Sequence, residues 1–143
     1  MQVQDIMTPH FECITQDAPI SSVAKMMRDL DVGMLPVEQD GNIVGTVTDR
    51  DITIRATAEG ADPGDTLVGS IMSHDIFSCA QDSDIQDAAQ IMEDHQVRRL
   101  LVRNSQGHYV GMLSLADLAH HHEERLSAAI HEEVSQPSAY AHA

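Results

Sequence analysis

The chain has 143 residues, 23 of them acidic and 8 basic, for a formal charge of −15. That length can bury a sizeable core without disulfides or metals, and the charge argues against a duplex-DNA or anionic-membrane surface, since both need broad positive patches. With no Trp, two Phe and two Tyr, the core must be aliphatic and Met-rich, stacking platforms for single-stranded nucleic acid are absent, and any base recognised here is held by aliphatic side chains and backbone.

Met1 to His10 has no basic region leading into an apolar run, and no apolar stretch reaches the roughly 20 residues of a membrane helix. The expectation is a cytoplasmic protein without membrane or nucleic-acid partners. Cys13 and Cys79 are too few for a disulfide framework and lack zinc-site spacing. They read as small apolar core residues.

In chain order, the first element is a short strand after Asp5-Ile6-Met7-Thr8. Ile20, Val23, Ala24 and Met27 recur at helical spacing, with Asp17 and Pro19 as start signals. Two apolar runs, Met34 to Val37 and Ile43 to Val47, flank Asp40-Gly41-Asn42 and read as a hairpin. A second helix follows from about Arg50. The segment Glu59-Gly60-Ala61-Asp62-Pro63-Gly64-Asp65 has turn chemistry throughout and reads as a linker.

The order then repeats. At a shift of 65 residues, Asp5-Ile6-Met7-Thr8 matches Ser70-Ile71-Met72-Ser73. Ile20, Ala24 and Met27 fall on Ile85, Ala89 and Met92, and Val32, Leu35 and Val37 fall on Val97, Leu100 and Val102. One extra residue makes the shift 66, aligning Gly41, Val44, Gly45 and Asp51 with Gly107, Val110, Gly111 and Asp117. Two copies of one β-α-β-β-α unit follow from this periodicity. The second has a Ser105-Gln106-Gly107 turn and a closing helix from about Ala116 to about Val134. The expected division is a first repeat over 1–58, a linker over 59–66, a second repeat over 67–134, and a mobile tail over 135–143. Neither copy can bury both helices and a small sheet well on its own, so an α+β fold of two repeats packed as one domain is expected.

Each copy ends its hairpin in the same pattern, Gly45-Thr46-Val47-Thr48-Asp49-Arg50-Asp51 and Gly111-Met112-Leu113-Ser114-Leu115-Ala116-Asp117. A carboxylate in the first helical turn can accept from both vicinal hydroxyls of a ribose. The same spacing is close to a helix capping box. The preceding glycine and the matching hairpin, present twice, favour a ligand site built from the repeated unit.

These residues resemble the CBS domain family, named for cystathionine beta-synthase, over about Val3 to Ala119. The resemblance rests on Asp-Ile-Met near the start, Val32-Gly33-Met34-Leu35-Pro36-Val37 and Val97-Arg98-Arg99-Leu100-Leu101-Val102 in the middle, and Gly-x-x-Thr/Ser-x-x-Asp at the end. It implies a pseudo-twofold pair of repeats (a Bateman module) that binds AMP, ADP, ATP, NAD or S-adenosylmethionine, and a homodimer. The chain looks like short bacterial members associated with hypoxic or stress responses. The resemblance makes Asp51 and Asp117 ribose ligands, with Thr48 and Ser114 beside them and Arg98 and Arg99 against phosphate. Arg50 and Met112 complete the candidate nucleotide-binding set. The first repeat carries Gly33-Met34 where the second has Arg98-Arg99, so unequal sites are expected. Leu101 stands where the first repeat has Pro36, which departs from the usual pattern.

The run His120-His121-His122-Glu123-Glu124 reads as a solvated helical face, since consecutive helical residues point about 100° apart and cannot share one ion well. His120 with Glu124 and His121 with Arg125 do share a face; His131, Glu132 and Glu133 add no matching partners. No metal site and no enzymatic motif is expected. A nucleotide-sensing regulatory module acting in trans on an unknown protein target is the leading reading; the alternative is a nucleotide-free dimer serving as an interaction platform.

Overall fold

The computed structural model describes residues 1–134, with side chains through residue 130; the expected tail lies outside the described residues. The chain forms two compact units, one made of Met1–Pro9 with the chain from Cys79 on, the other of His10–Ser78. The α+β content expected from the repeats is present in both. Sequence repeats and compact units divide the chain differently, because the opening segment of each repeat joins the sheet of the other. Pairing between strands far apart in sequence produces this, and local periodicity carries no trace of it.

In the His10–Ser78 unit, β2 (Ile14–Thr15) lies parallel to β3 (Met34–Gln39), and β3 pairs antiparallel with β4 (Asn42–Thr48). The hairpin turn is set by Asp40 and Gly41, both at positive φ (52° and 81°), as a two-residue turn matching strand twist requires. Pro36 sits inside β3, yet β2 pairs only with Val37 and Glu38, so its missing N–H breaks no bond to β2. The helix α1 (Ile20–Leu30) lays Ile20, Val23 and Met27 into a core with Leu35, Val37, Val47, Ala56, Val68, Ile71 and Met72.

The start of α1 departs from expectation. Pro19 occupies the cap position and no side chain caps the helix. Instead the Ile20 and Ser21 amides donate to the carbonyls of Thr66 and Pro63, at 2.9 and 3.1 Å. Two orphan donors of the first turn are thereby satisfied by the linker, which is a structural part of this unit.

The second helix also differs from a regular one. After a single turn at α2 (Asp49–Asp51) the backbone widens to a π-helix over Ile52–Thr57. The Thr53 hydroxyl donates to the Asp49 carbonyl at 3.1 Å, competing for the acceptor an α-helix would give to the Thr53 amide. Consecutive branched side chains at Ile52, Thr53 and Ile54 crowd the same turn.

The other unit is a four-stranded sheet in the order β1-β7-β6-β5, formed by β1 (Thr8–Pro9), β5 (Ser78–Ala80), β6 (Arg99–Arg103) and β7 (Tyr109–Ser114). Leu101, in place of proline, is fully buried and paired with Met112, so β6 is regular at that point. Its hairpin turn is organised by Asn104, whose Oδ1 accepts from the amides of Gln106 and His108, both at 3.0 Å. Helix α3 (Ile85–His95) is capped by Asp84, which accepts from the Gln86 amide at 2.9 Å. Both α1 and α3 end on a left-handed residue, Asp31 and Gln96. Helix α4 (Leu115–Val134) runs to the last of the described residues. Val3, Cys79, Ala88, Met92, Leu100, Leu101, Val102 and Leu113 are buried in this unit. Among the described residues no helix is long and apolar enough to cross a membrane.

Candidate functional site

Strand register builds each candidate site within its own unit. In the first, β4 ends at Thr48, opposite Met34 on β3, and the Asp49 amide donates to the Gly33 carbonyl at 3.0 Å. In the second, β7 ends at Ser114, opposite Arg99 on β6, and the Leu115 amide donates to the Arg98 carbonyl at 2.7 Å. The geometry is the same twice, with Gly33-Met34 replaced by Arg98-Arg99. Met34 is buried; Arg98 is exposed and Arg99 half-buried. Directly opposed residues of an antiparallel pair share a face, so Arg99 and Ser114 lie on one side of the sheet, together with Met112 two residues earlier.

Both aspartates close capping boxes. The Asp51 amide donates to Thr48 Oγ1 at 3.1 Å, and the Thr48 amide donates to Asp51 Oδ2 at 3.0 Å. The Asp117 amide donates to Ser114 Oγ at 3.0 Å, and the Ser114 amide to Asp117 Oδ2 at 2.9 Å. The cap that the spacing allowed is therefore present in both repeats. In each case it engages one carboxylate oxygen and leaves Oδ1 outside the box.

The paired glycines have a packing explanation. A Cβ on Gly45 would lie 2.4 Å from the Ser73 carbonyl oxygen, and one on Gly111 would lie 2.7 Å from that of Thr8. At both places the opening segment of the other repeat crosses the hairpin: Thr46 and Ser73 exchange backbone bonds of 2.9 and 2.8 Å, and Thr8 pairs with Met112. Glycine admits this approach, so its repetition is accounted for without a ligand.

Cations differ between the sites. Arg50 donates its amide to Asp49 Oδ1 at 2.9 Å and is exposed. Arg55, which lies outside the repeated motif, reaches Asp51 Oδ1 with Nε at 3.8 Å and donates from Nη1 to the carbonyls of Ile71 and Met72 at 3.3 and 3.2 Å. The signal for it was available, one helical turn beyond the motif aspartate.

The histidine run divides. His120 pairs with Glu124 at 3.0 Å on an exposed surface, and His122 is exposed, as a solvated face requires. His121 departs from that reading: it is buried, and its Nε2 has no hydrogen-bond partner. It falls on the inward side of α4, 100° from each neighbour. Among the described residues no cluster of three or more His, Cys, Asp or Glu side chains is placed to hold a metal ion. Both thiols are free. Burial pushes Cys13 up, reinforced by the charges of Glu38 and Glu12; burial also raises Cys79, against a lowering by Arg103.

The CBS domain family model matches residues 3–56 and again 68–124. The CBS domain-containing protein YhcV of Bacillus subtilis is 38% identical over 117 residues, 82% of either chain. Hypoxic response protein 1 of Mycobacterium tuberculosis is 33% identical over 139 residues, 96% of either chain. A crystal structure of Hypoxic Response Protein I with two coordinated zinc ions superposes with a TM-score of 0.72 at 34% identity, covering 85% of this chain and 98% of that one. The CBS domain pair of protein MJ0100, in complex with 5′-methylthioadenosine and S-adenosyl-L-methionine, shares the fold at 21% identity and a TM-score of 0.75, over 87% and 98% of the two chains. Twin sites at matching registers, twice-matched family residues and relatives alike over most of their length lead to one conclusion: the chain belongs to the CBS domain family, as a tandem pair.

Proposed function

We propose that this CBS pair binds an adenosine-containing nucleotide and uses its occupancy to regulate a separate protein, without catalysing a reaction. The observation that carries the reading is the second repeat's register, which sets Arg99 across from Ser114 and one turn from Asp117. An anion-binding cation and a diol acceptor then stand on one framework. In this reading Asp117, Ser114 and Met112 take the nucleoside and Arg98 and Arg99 the phosphate. Thr48, Arg50 and Asp51 form a weaker counterpart, because Met34 supplies no charge where Arg99 stands. AMP, ADP, ATP and NAD are the candidate ligands, with S-adenosylmethionine, which the same fold holds in the MJ0100 pair, a further one. A cytoplasmic homodimer is the proposed working form.

A thermal-shift panel of these five compounds tests the proposal. A ligand at 100 times its dissociation constant stabilises the fold by about 2.7 kcal/mol, several degrees in melting temperature at this size. Flat curves throughout would overturn it. A zinc arm belongs in the panel, given the zinc ions of the Hypoxic Response Protein I structure.

The two capping boxes favour one second reading, a nucleotide-free interaction platform in which the aspartates serve only as caps. Asp117→Asn separates the readings. Because Asp117 closes a cap in either case, a loss of up to about 0.5–2 kcal/mol is expected from both; a ligand role predicts lost nucleotide binding in addition, and a cap alone predicts the same stability loss with or without nucleotide.

A further inference from the structure

At the 66-residue shift that aligns Asp51 with Asp117, Arg55 aligns with His121. The two positions, one turn beyond the motif aspartates, are handled differently. Arg55 is anchored by the carbonyls of Ile71 and Met72 and directs Nε to the Asp51 oxygen that the cap leaves over. The Asp51 side chain is only 13% exposed, and a ribose hydroxyl binding its Oδ1 competes with the guanidinium for that oxygen. At Asp117 the equivalent residue is a buried histidine whose Nε2 has no hydrogen-bond partner. An ionised carboxylate with one oxygen in a cap retains acceptor capacity mainly on the other.

We infer that Arg55 is a specificity-determining residue, an internal substitute for ribose hydroxyls that holds Asp51 closed and directs adenosine to Asp117. The inference rests on the reading above, that these aspartates take a ribose. It adds that the inequality of the repeats has a second source besides phosphate charge, and that this source acts on the nucleoside alone. Because its two carbonyl bonds already immobilise the guanidinium, Arg55 loses little further freedom in pairing with Asp51. The Arg55 side chain is still half exposed, which limits the pair's weight to about five-fold in affinity.

The test is calorimetric titration of the full chain with adenosine and, separately, AMP. Asp117→Asn isolates the first site. Adding Arg55→Gln keeps a donor for the two carbonyls but removes the charge, and adenosine should then bind about five-fold more tightly than to Asp117→Asn alone. Adding Arg55→Lys instead keeps the charge but not the fork that reaches both the carbonyls and Asp51, and should give a smaller gain than Arg55→Gln. Arg55→His, the second repeat's own residue, gives the same reading as Arg55→Gln should the latter unfold. An adenosine affinity no tighter in the uncharged variants overturns the inference, as does lost AMP affinity with unchanged adenosine affinity, which would make Arg55 a phosphate ligand. Either result, with the wild-type chain still binding AMP, leaves the proposed function standing. A wild-type chain that binds neither compound removes both.

Discussion

Replacing Gly45 by alanine tests the backbone crossing that shapes the first site. The added Cβ would stand 2.4 Å from the Ser73 carbonyl oxygen, 3.3 Å from its carbon and 3.4 Å from Met72 Sδ. The closest atom is backbone and cannot rotate away, so the crossing strand must retreat. Overpacking of this kind costs about 1–3 kcal/mol. Retreat also stretches the bonds between Thr46 and Ser73, each worth about 1 kcal/mol net. Alanine recovers about 0.5–1 kcal/mol through backbone entropy, for a net loss of about 2–4 kcal/mol. Gly111→Ala should cost less, because one of its two closest contacts is the flexible Met7 Sδ at 2.8 Å. Gly41→Ala meets no atom within 4 Å and carries only the strain of its positive φ, about 1 kcal/mol. Urea unfolding followed by circular dichroism gives all three midpoints at constant m. Loss within about 0.5 kcal/mol at Gly45, or an order with Gly41 most damaging, would refute the reasoning.

Other consequences are open to measurement. His121→Leu should leave stability unchanged or raise it by about 1 kcal/mol in urea unfolding, since it replaces a buried ring nitrogen lacking a partner with an apolar group; a loss above about 2 kcal/mol would show that the ring is in fact satisfied. Leu100→Ala, fully buried in β6, should cost about 2–5 kcal/mol, and an unchanged midpoint would contradict its place in the core. Both thiols are raised above their ordinary value of 9.0, so the fold favours their neutral form. That stability is present below pH 9 and is lost as pH rises past it, where the unfolded thiols ionise first. At pH 8 a thiol reagent should modify both far more slowly than in urea, Cys79 slowest; equal rates in the folded and unfolded chain would contradict the burial.

The repeated unit was legible because its signals are local. Apolar spacing at Ile20, Val23 and Met27, the Asp40-Gly41 turn, and the Thr/Ser-x-x-Asp ends are each read within a dozen residues, and the structure keeps them. What escaped depends on distant partners. The exchange of opening segments, the linker carbonyls under α1, the anchoring of Arg55 by Ile71 and Met72, and the inward turn of His121 are set by tertiary contact. The π-helix at Ile52–Thr57 lies between these cases: the branched residues and Thr53 are visible in sequence, but hydrogen-bond competition decides the outcome. The motif glycines mark a limit of another kind. Their repetition looked like a mark of a ligand and proved to be clearance for a crossing strand.

The exchange of opening segments bears on how such a chain can be divided. A fragment cut at the repeat boundary, residues 1–58, would retain α1 and its hairpin yet forfeit Val68, Ile71 and Met72, three of the ten buried residues in that core cluster. Residues 10–78 keep the whole cluster, together with the linker carbonyls under α1. The piece that duplicated and the compact unit of the fold are thus offset by about one strand, and each half of the protein holds a short stretch of its sibling's sequence as its own.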